Sequence, residues 1–125
     1  MFAFDESIVS VRRPGRYIGK EWNAVVKPPS PSTIRVALCY PDVYEIGMSY
    51  IGLRILYEVL NRIPDVACER VFAPWPDMEA FLRARAQSLF TLETRTPLGE
   101  CDLVCFSLNY EMSYSNILTD RKSVV

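Results

Sequence analysis

The sequence predicts an α/β fold built on a parallel sheet, and three observations predict it. The runs 34–40 and 102–108 are apolar almost throughout, as in strands buried on both faces. Residues 66–72 read as another strand. Helical patterns separate the three, and such alternation folds into right-handed βαβ units.

The chain has 125 residues, so one domain at most is expected. Half of it is apolar and its net charge is −1, which gives no electrostatic hint of nucleic acid or of a membrane surface. No run approaches the roughly 18–20 apolar residues of a membrane span. The opening stretch lacks the order of a signal peptide. A cytoplasmic location with reduced thiols is therefore expected for Cys39, Cys68, Cys101 and Cys105. The absence of histidine removes Ser-His-Asp catalysis and histidine–metal ligation together.

Residues 1–32 read as an arm closed by a stiff linker, Pro28-Pro29-Ser30-Pro31. Arg12, Arg13, Arg16 and Lys20 are read as a solvated face, and the arm is expected to add little to the core. After the strand at 34–40 comes a Pro-Asp turn and a loop ending at Gly47. A helix is then expected from Ser49, its N-cap, to Pro64. Met48, Ile51, Gly52, Ile55, Leu56, Val59 and Leu60 recur at helical spacing as its apolar face.

The strand at 66–72 leads into the rigid turn Ala73-Pro74-Trp75-Pro76-Asp77, with Asp77 as N-cap of a short helix through Arg85. Residues 88–93 read as a short strand or extended link, and 96–99 as a turn. The third core strand follows at 102–108, too apolar for a sheet edge and suited to pairing with a fourth strand. A last helix begins at Ser113. Residues 120–125, DRKSVV, do not continue its pattern; they resemble translated sequencing adapter and are read as a non-native tail.

In a flavodoxin-like order, 2-1-3, the first and third strands are neighbours and a crevice opens between their carboxyl ends. That would bring Asp42, Tyr44 and Gly47 beside Ser107, Asn109 and Tyr110 as one polar pocket. Asp42-Val43-Tyr44-Glu45-Ile46-Gly47 resembles the D-x-H-x-x-G loop of cobalamin-binding domains, with Tyr44 at the histidine position. The plain alternative is an ordinary βα loop, with Asp42 forming the turn, Gly47 at positive φ and Tyr44 packed on the surface. Cys101-x-x-x-Cys105 has Leu108 where an iron–sulfur C-x-x-x-C-x-x-C would need cysteine, so these thiols read as structural.

The segments RYIGKEWNAVVK, RVALCYPDVYEIGMSYIGLRILYEVLN, ERVFAPWPDMEAFLR and CDLVCFSLNYEMSYSNIL, from Arg16 to Leu118, resemble the amino-terminal region of a family of radical S-adenosylmethionine (radical SAM) proteins. Those proteins begin with a cobalamin-binding-type domain and continue into a radical enzyme barrel; VFAPWPDME carries most of the specificity. The resemblance implies a Rossmann-like domain over 33–119, incomplete at its carboxyl end. A [4Fe-4S] cluster and S-adenosylmethionine would then lie in a downstream barrel of the same parent chain. It also implies cobalamin as a small-molecule cofactor, held by Asp42, Tyr44, Gly47, Ser107, Asn109 and Tyr110. No catalytic residue or metal ligand is assigned to this chain. Tyr44 in place of histidine, and Asn109 in place of the leucine of an S-x-L pattern, depart from cobalamin-binding domains. Two functions follow: a cofactor-domain fragment that is not catalytic by itself, or a ligand-free interaction module that docks on the barrel.

Overall fold

The computed structural model describes residues 10–109 and 111–122. Three parallel strands, β1 (Ile34–Tyr40), β2 (Val66–Phe72) and β3 (Leu103–Phe106), stand in the order β2-β1-β3. Val36 pairs with Cys68 on one side and with Leu103 on the other. The fold is α/β with a partial parallel sheet, as expected. The first two strands have the bounds their apolar runs imply, while β3 is shorter, and only half-buried because it forms an edge.

Side chains of a strand alternate between faces, and both faces of this sheet are covered. Leu38, Tyr40, Cys68 and Phe72 meet Leu53 and Tyr57 on one face. Ala37, Cys39 and Val71 meet Met78, Leu82, Leu89, Phe90 and Leu98 on the other. The segment 88–98 is an extended link, bridged Phe90 to Pro97, and its Leu92 N–H donates to the Arg70 carbonyl along the outer edge of β2.

The helix expected after Gly47 is two helices, α1 (Tyr44–Ser49) and α2 (Ile51–Asn61). Tyr50, at φ −85° and ψ 110°, breaks the chain between them and is the N-cap of α2. Ser49 is no cap; its hydroxyl donates to the Glu45 carbonyl one turn back. The break detaches Met48 from the phase of α2, so the expected apolar face holds only in part: Met48 and Leu60 pack against the core, but the rest of it does not. Leu53 and Tyr57 are the buried residues, whereas Ile51, Ile55, Leu56 and Val59 are exposed. Helix α3 (Pro76–Ala84) has Pro76 at its first turn, and Trp75, not Asp77, is its N-cap. Asp77 instead accepts from the backbone N–H groups of Met78 and Arg12. Helix α4 (Tyr114–Lys122) runs three residues into the stretch read as a tail.

The arm, from residue 10 onward, packs into the core, which corrects the expectation that it adds little there. Val11 and Tyr17 are buried in the core beside Leu89 and Leu98. Arg16, expected in solvent, is buried: its Nε donates to both carboxylate oxygens of Glu45 at 2.9 Å, and its guanidinium lies 4.7 Å over the Trp75 ring. Gly19 adopts φ +66° against the Leu92 carbonyl oxygen, which a Cβ would approach to 2.8 Å. Lys27 Nζ donates to the carbonyls of Asn61, Ile63 and Val66, where α2 ends and β2 begins. A cation there satisfies carbonyls that helix geometry leaves unpaired.

Candidate functional site

The carboxyl end of the sheet is where a parallel fold presents ligand-binding groups. Three hydrogen bonds fix the turn leaving β1. Asp42 Oδ1 accepts from the Val43 N–H at 2.7 Å, the Asp42 carbonyl accepts from Ala73 N–H at 2.8 Å, and Asn116 Nδ2 donates to the Pro41 carbonyl at 2.8 Å. The turn is thus tied to the end of β2 on one side and to α4 on the other. From β3, the Ser107 N–H donates to the Cys39 carbonyl at 2.9 Å. Asp42 and Ser107 therefore lie at the same end of adjacent strands, with exposed Asn109 two residues on. Tyr110 lies outside the described residues.

Tyr44 and Gly47 turn the other way, toward β2 and the arm. Tyr44 donates its hydroxyl proton to Glu21 at 2.6 Å, and its ring meets Phe72 edge-on at 5.5 Å. Burial first, then the bond to Glu21, pushes its pKa up to about 12. Gly47 is in helix, buried, and not at positive φ, so the left-handed conformation expected in a plain loop is absent. Its use is contact: a Cβ there would lie 2.1 Å from Phe72 Cε1.

Glu21 leads into a buried charge network whose members carried no role in the sequence reading. Arg70 donates from its terminal nitrogens to Glu21 at 2.7 Å and to Met48 Sδ at 3.1 Å, and from Nε to Glu93 at 2.6 Å. Glu93 also accepts from the Arg70 backbone N–H at 2.8 Å and from the Tyr57 hydroxyl at 3.1 Å. Burial works against the Arg70 charge, but Glu93 and Glu21 outweigh it and raise its pKa further. For Glu21, burial pushes upward, yet the bonds from Arg70 and Tyr44 prevail and hold the carboxyl below its usual range. On the opposite face Glu69 accepts from Arg35, Thr91 and Thr94. The signal was present: Glu69-Arg70, two adjacent charges inside an otherwise apolar strand, must each find a partner when buried.

Two of the thiols, Cys68 and Cys101, do not suit ligation or attack. Burial is the largest influence on both Cys68 and Cys101, pushing them up to about 12 and about 11, which keeps them protonated near neutrality. Among the described residues no group of three His, Cys, Asp or Glu side chains could hold a metal ion, and no helix is long and apolar enough to cross a membrane.

No curated protein and no solved structure matches the chain. One family does, that described as radical SAM proteins, N-terminal, over residues 52–120. The match runs from α2 through β2, α3 and β3 into α4, whereas the resemblance in the sequence starts earlier, at Arg16. It spans more than half of the chain, which therefore belongs to the N-terminal family of radical SAM proteins.

Proposed function

We propose that the chain is the cofactor-binding-type domain at the N-terminus of a cobalamin-dependent-type radical SAM enzyme, without turnover of its own. The observation that carries this is the placing of Asp42 and Ser107 at the carboxyl ends of adjacent strands β1 and β3, in a chain of the radical SAM family. The [4Fe-4S] cluster and S-adenosylmethionine belong to the downstream barrel of the parent, where reductive cleavage would occur.

The residues present do not fit an axial cobalt ligand. Tyr44 faces Glu21 and Phe72 rather than the crevice, and its neutral phenol is a poor donor to cobalt. Asp42, Ser107 and Asn109 are left as a polar rim. Any corrin would thus be held by its periphery, in the base-off, histidine-off form. The test is a visible-absorption titration of the protein with hydroxocobalamin, followed by desalting. Retention of a base-off spectrum supports the proposal.

The bond between Tyr44 and Glu21 favours a second reading, since it uses the ligand-position residue to fasten the arm. That reading is a ligand-free module that docks on the radical enzyme barrel. It is preferred if neither this chain nor its radical SAM parent retains cobalamin at any concentration.

A further inference from the structure

The arm carries a second charged cluster, apart from the Arg70 network. Arg12, Arg13 and Arg16, read from the sequence as a solvated face, line a pocket of about 180 Å³ together with Trp75. The main chain gathers them. Arg13 lies in the left-handed region at φ +53°, uncommon for a residue with a side chain, and opens the 3-10 turn Pro14–Tyr17. The Arg16 N–H closes on the Arg13 carbonyl at 3.1 Å, and Asp77 holds the Arg12 N–H at 2.6 Å. Arg16 bonds Glu45 of α1, while Trp75 stands in the loop after β2. The pocket therefore belongs to the carboxyl end of the sheet, where parallel folds take ligands.

The donors there are not used up. The Arg16 side chain is only 8% exposed, and Glu45 takes its Nε alone, so its terminal N–H groups remain to be offered. The Arg12 guanidinium has no hydrogen bond or ion pair among the described residues; only its backbone N–H is engaged. Arg13 is exposed and reaches Glu45 only at 3.4 Å. Three cations against the two carboxylates bonded to this segment, Glu45 and Asp77, leave a net positive charge. Pockets that enclose a whole small molecule run to about 300–1,000 Å³, so this smaller one suits a single anionic group. A carboxylate has two oxygens, whereas a phosphate monoester brings three and about −1.5 to −2 charges to the guanidiniums. A nucleic-acid backbone is disfavoured by the chain's net charge of −1. We propose that Arg12, Arg13 and Arg16 hold a phosphomonoester group, with the rest of that ligand lying against the exposed part of the Trp75 indole. The inference is independent of cobalamin, whose polar rim lies on the β1–β3 side.

The test reads Trp75 itself. The substitution Trp22→Phe, at a fully exposed position, leaves Trp75 as the sole tryptophan of the chain. Adenosine 5′-monophosphate and ribose 5-phosphate are titrated into that protein while its fluorescence is followed, with adenosine and inorganic phosphate as controls. Expected is a saturable change with the phosphate esters, competed by inorganic phosphate and weakened by salt, and none with adenosine. Tighter binding of the nucleotide supports a nucleotide as the source, and equal binding supports phosphate esters at large. Arg12→Gln with Arg13→Gln, both exposed positions, should weaken binding at least about tenfold and leave the unfolding midpoint unchanged. Lysine at the same two positions should restore part of the affinity, because the charge returns without the fork. Adenosine binding as well as its monophosphate, or native affinity in the double glutamine variant, overturns the proposal. So does the lack of any saturable change at millimolar ester. Retention of cobalamin is read separately, by absorbance, and its failure leaves this pocket untouched.

Discussion

The Tyr44 hydroxyl donates to the Glu21 carboxylate at 2.6 Å, joining the first helix after β1 to an arm 23 residues earlier. The residue at the histidine position of a cobalamin-type loop is thus a fastening, and its substitutions should read as fastening effects. Tyr44→Phe should cost about 1–2 kcal/mol of stability in urea unfolding and leave any cobalamin affinity unchanged. Tyr44→His should leave the cobalt spectrum as it was, since position 44 faces away from the crevice. A shift toward a nitrogen-ligated spectrum would refute this orientation.

Acid should loosen the arm. Glu21 has its pKa below the ordinary 4.5 in the folded protein. A lowered carboxyl contributes stability that is fully present above about 4.5 and drains away as pH falls through the folded value. The urea midpoint should therefore drop as the pH falls below about 4.5, and more steeply in the native protein than in Glu21→Gln. Glu45 is lowered as well, against burial, by Arg16, so parallel slopes in the two proteins would assign the acid effect there instead.

Arg70 sits between two carboxylates, and its partners are not equivalent. Arg70→Met should cost about 3–5 kcal/mol at pH 7, because it strands the buried Glu93 without its cation. Glu93→Gln should cost less, since Arg70 keeps Glu21. The double variant should fall short of the sum of the two, as expected for residues in one network. Additive losses in chemical denaturation would mean that the pair is not coupled.

Gly47 gives a steric test. Gly47→Ala should destabilise by about 1–3 kcal/mol through collision with the Phe72 ring rather than through backbone strain. Phe72→Leu in the same protein should recover part of the loss. No recovery would return Gly47 to a conformational role.

Strands were legible because a run such as 34–40 states its own burial: seven residues, no charge but Arg35, turn residues on either side. The switch-point rule likewise put β1 and β3 side by side, with Asp42 and Ser107 at the same end of the sheet, without coordinates. The phase of α2 was not legible, because spacing cannot show that Tyr50 stops one helix and starts the next. Nor was the docking of the arm, since Glu21 and Lys27 look like any exposed charges until their partners, Arg70 and the end of α2, are brought beside them. Tyr44 was assigned a place but not a direction. Direction depends on the turn of backbone between Val43 and Ser49, which is helical rather than looped.

The arm also constrains the order of assembly. Arg12 binds Asp77 across 65 residues, Tyr17 binds Trp75 across 58, and Glu21 binds Arg70 across 49. During synthesis at about 5–20 residues per second, the arm is made before its partners and has no docking surface until β2 and the start of α3 have left the ribosome. For those seconds Tyr17 and Val11 are unsheltered. Residues 10–27 thus work as a latch that can close only after β2 and the start of α3 have been made.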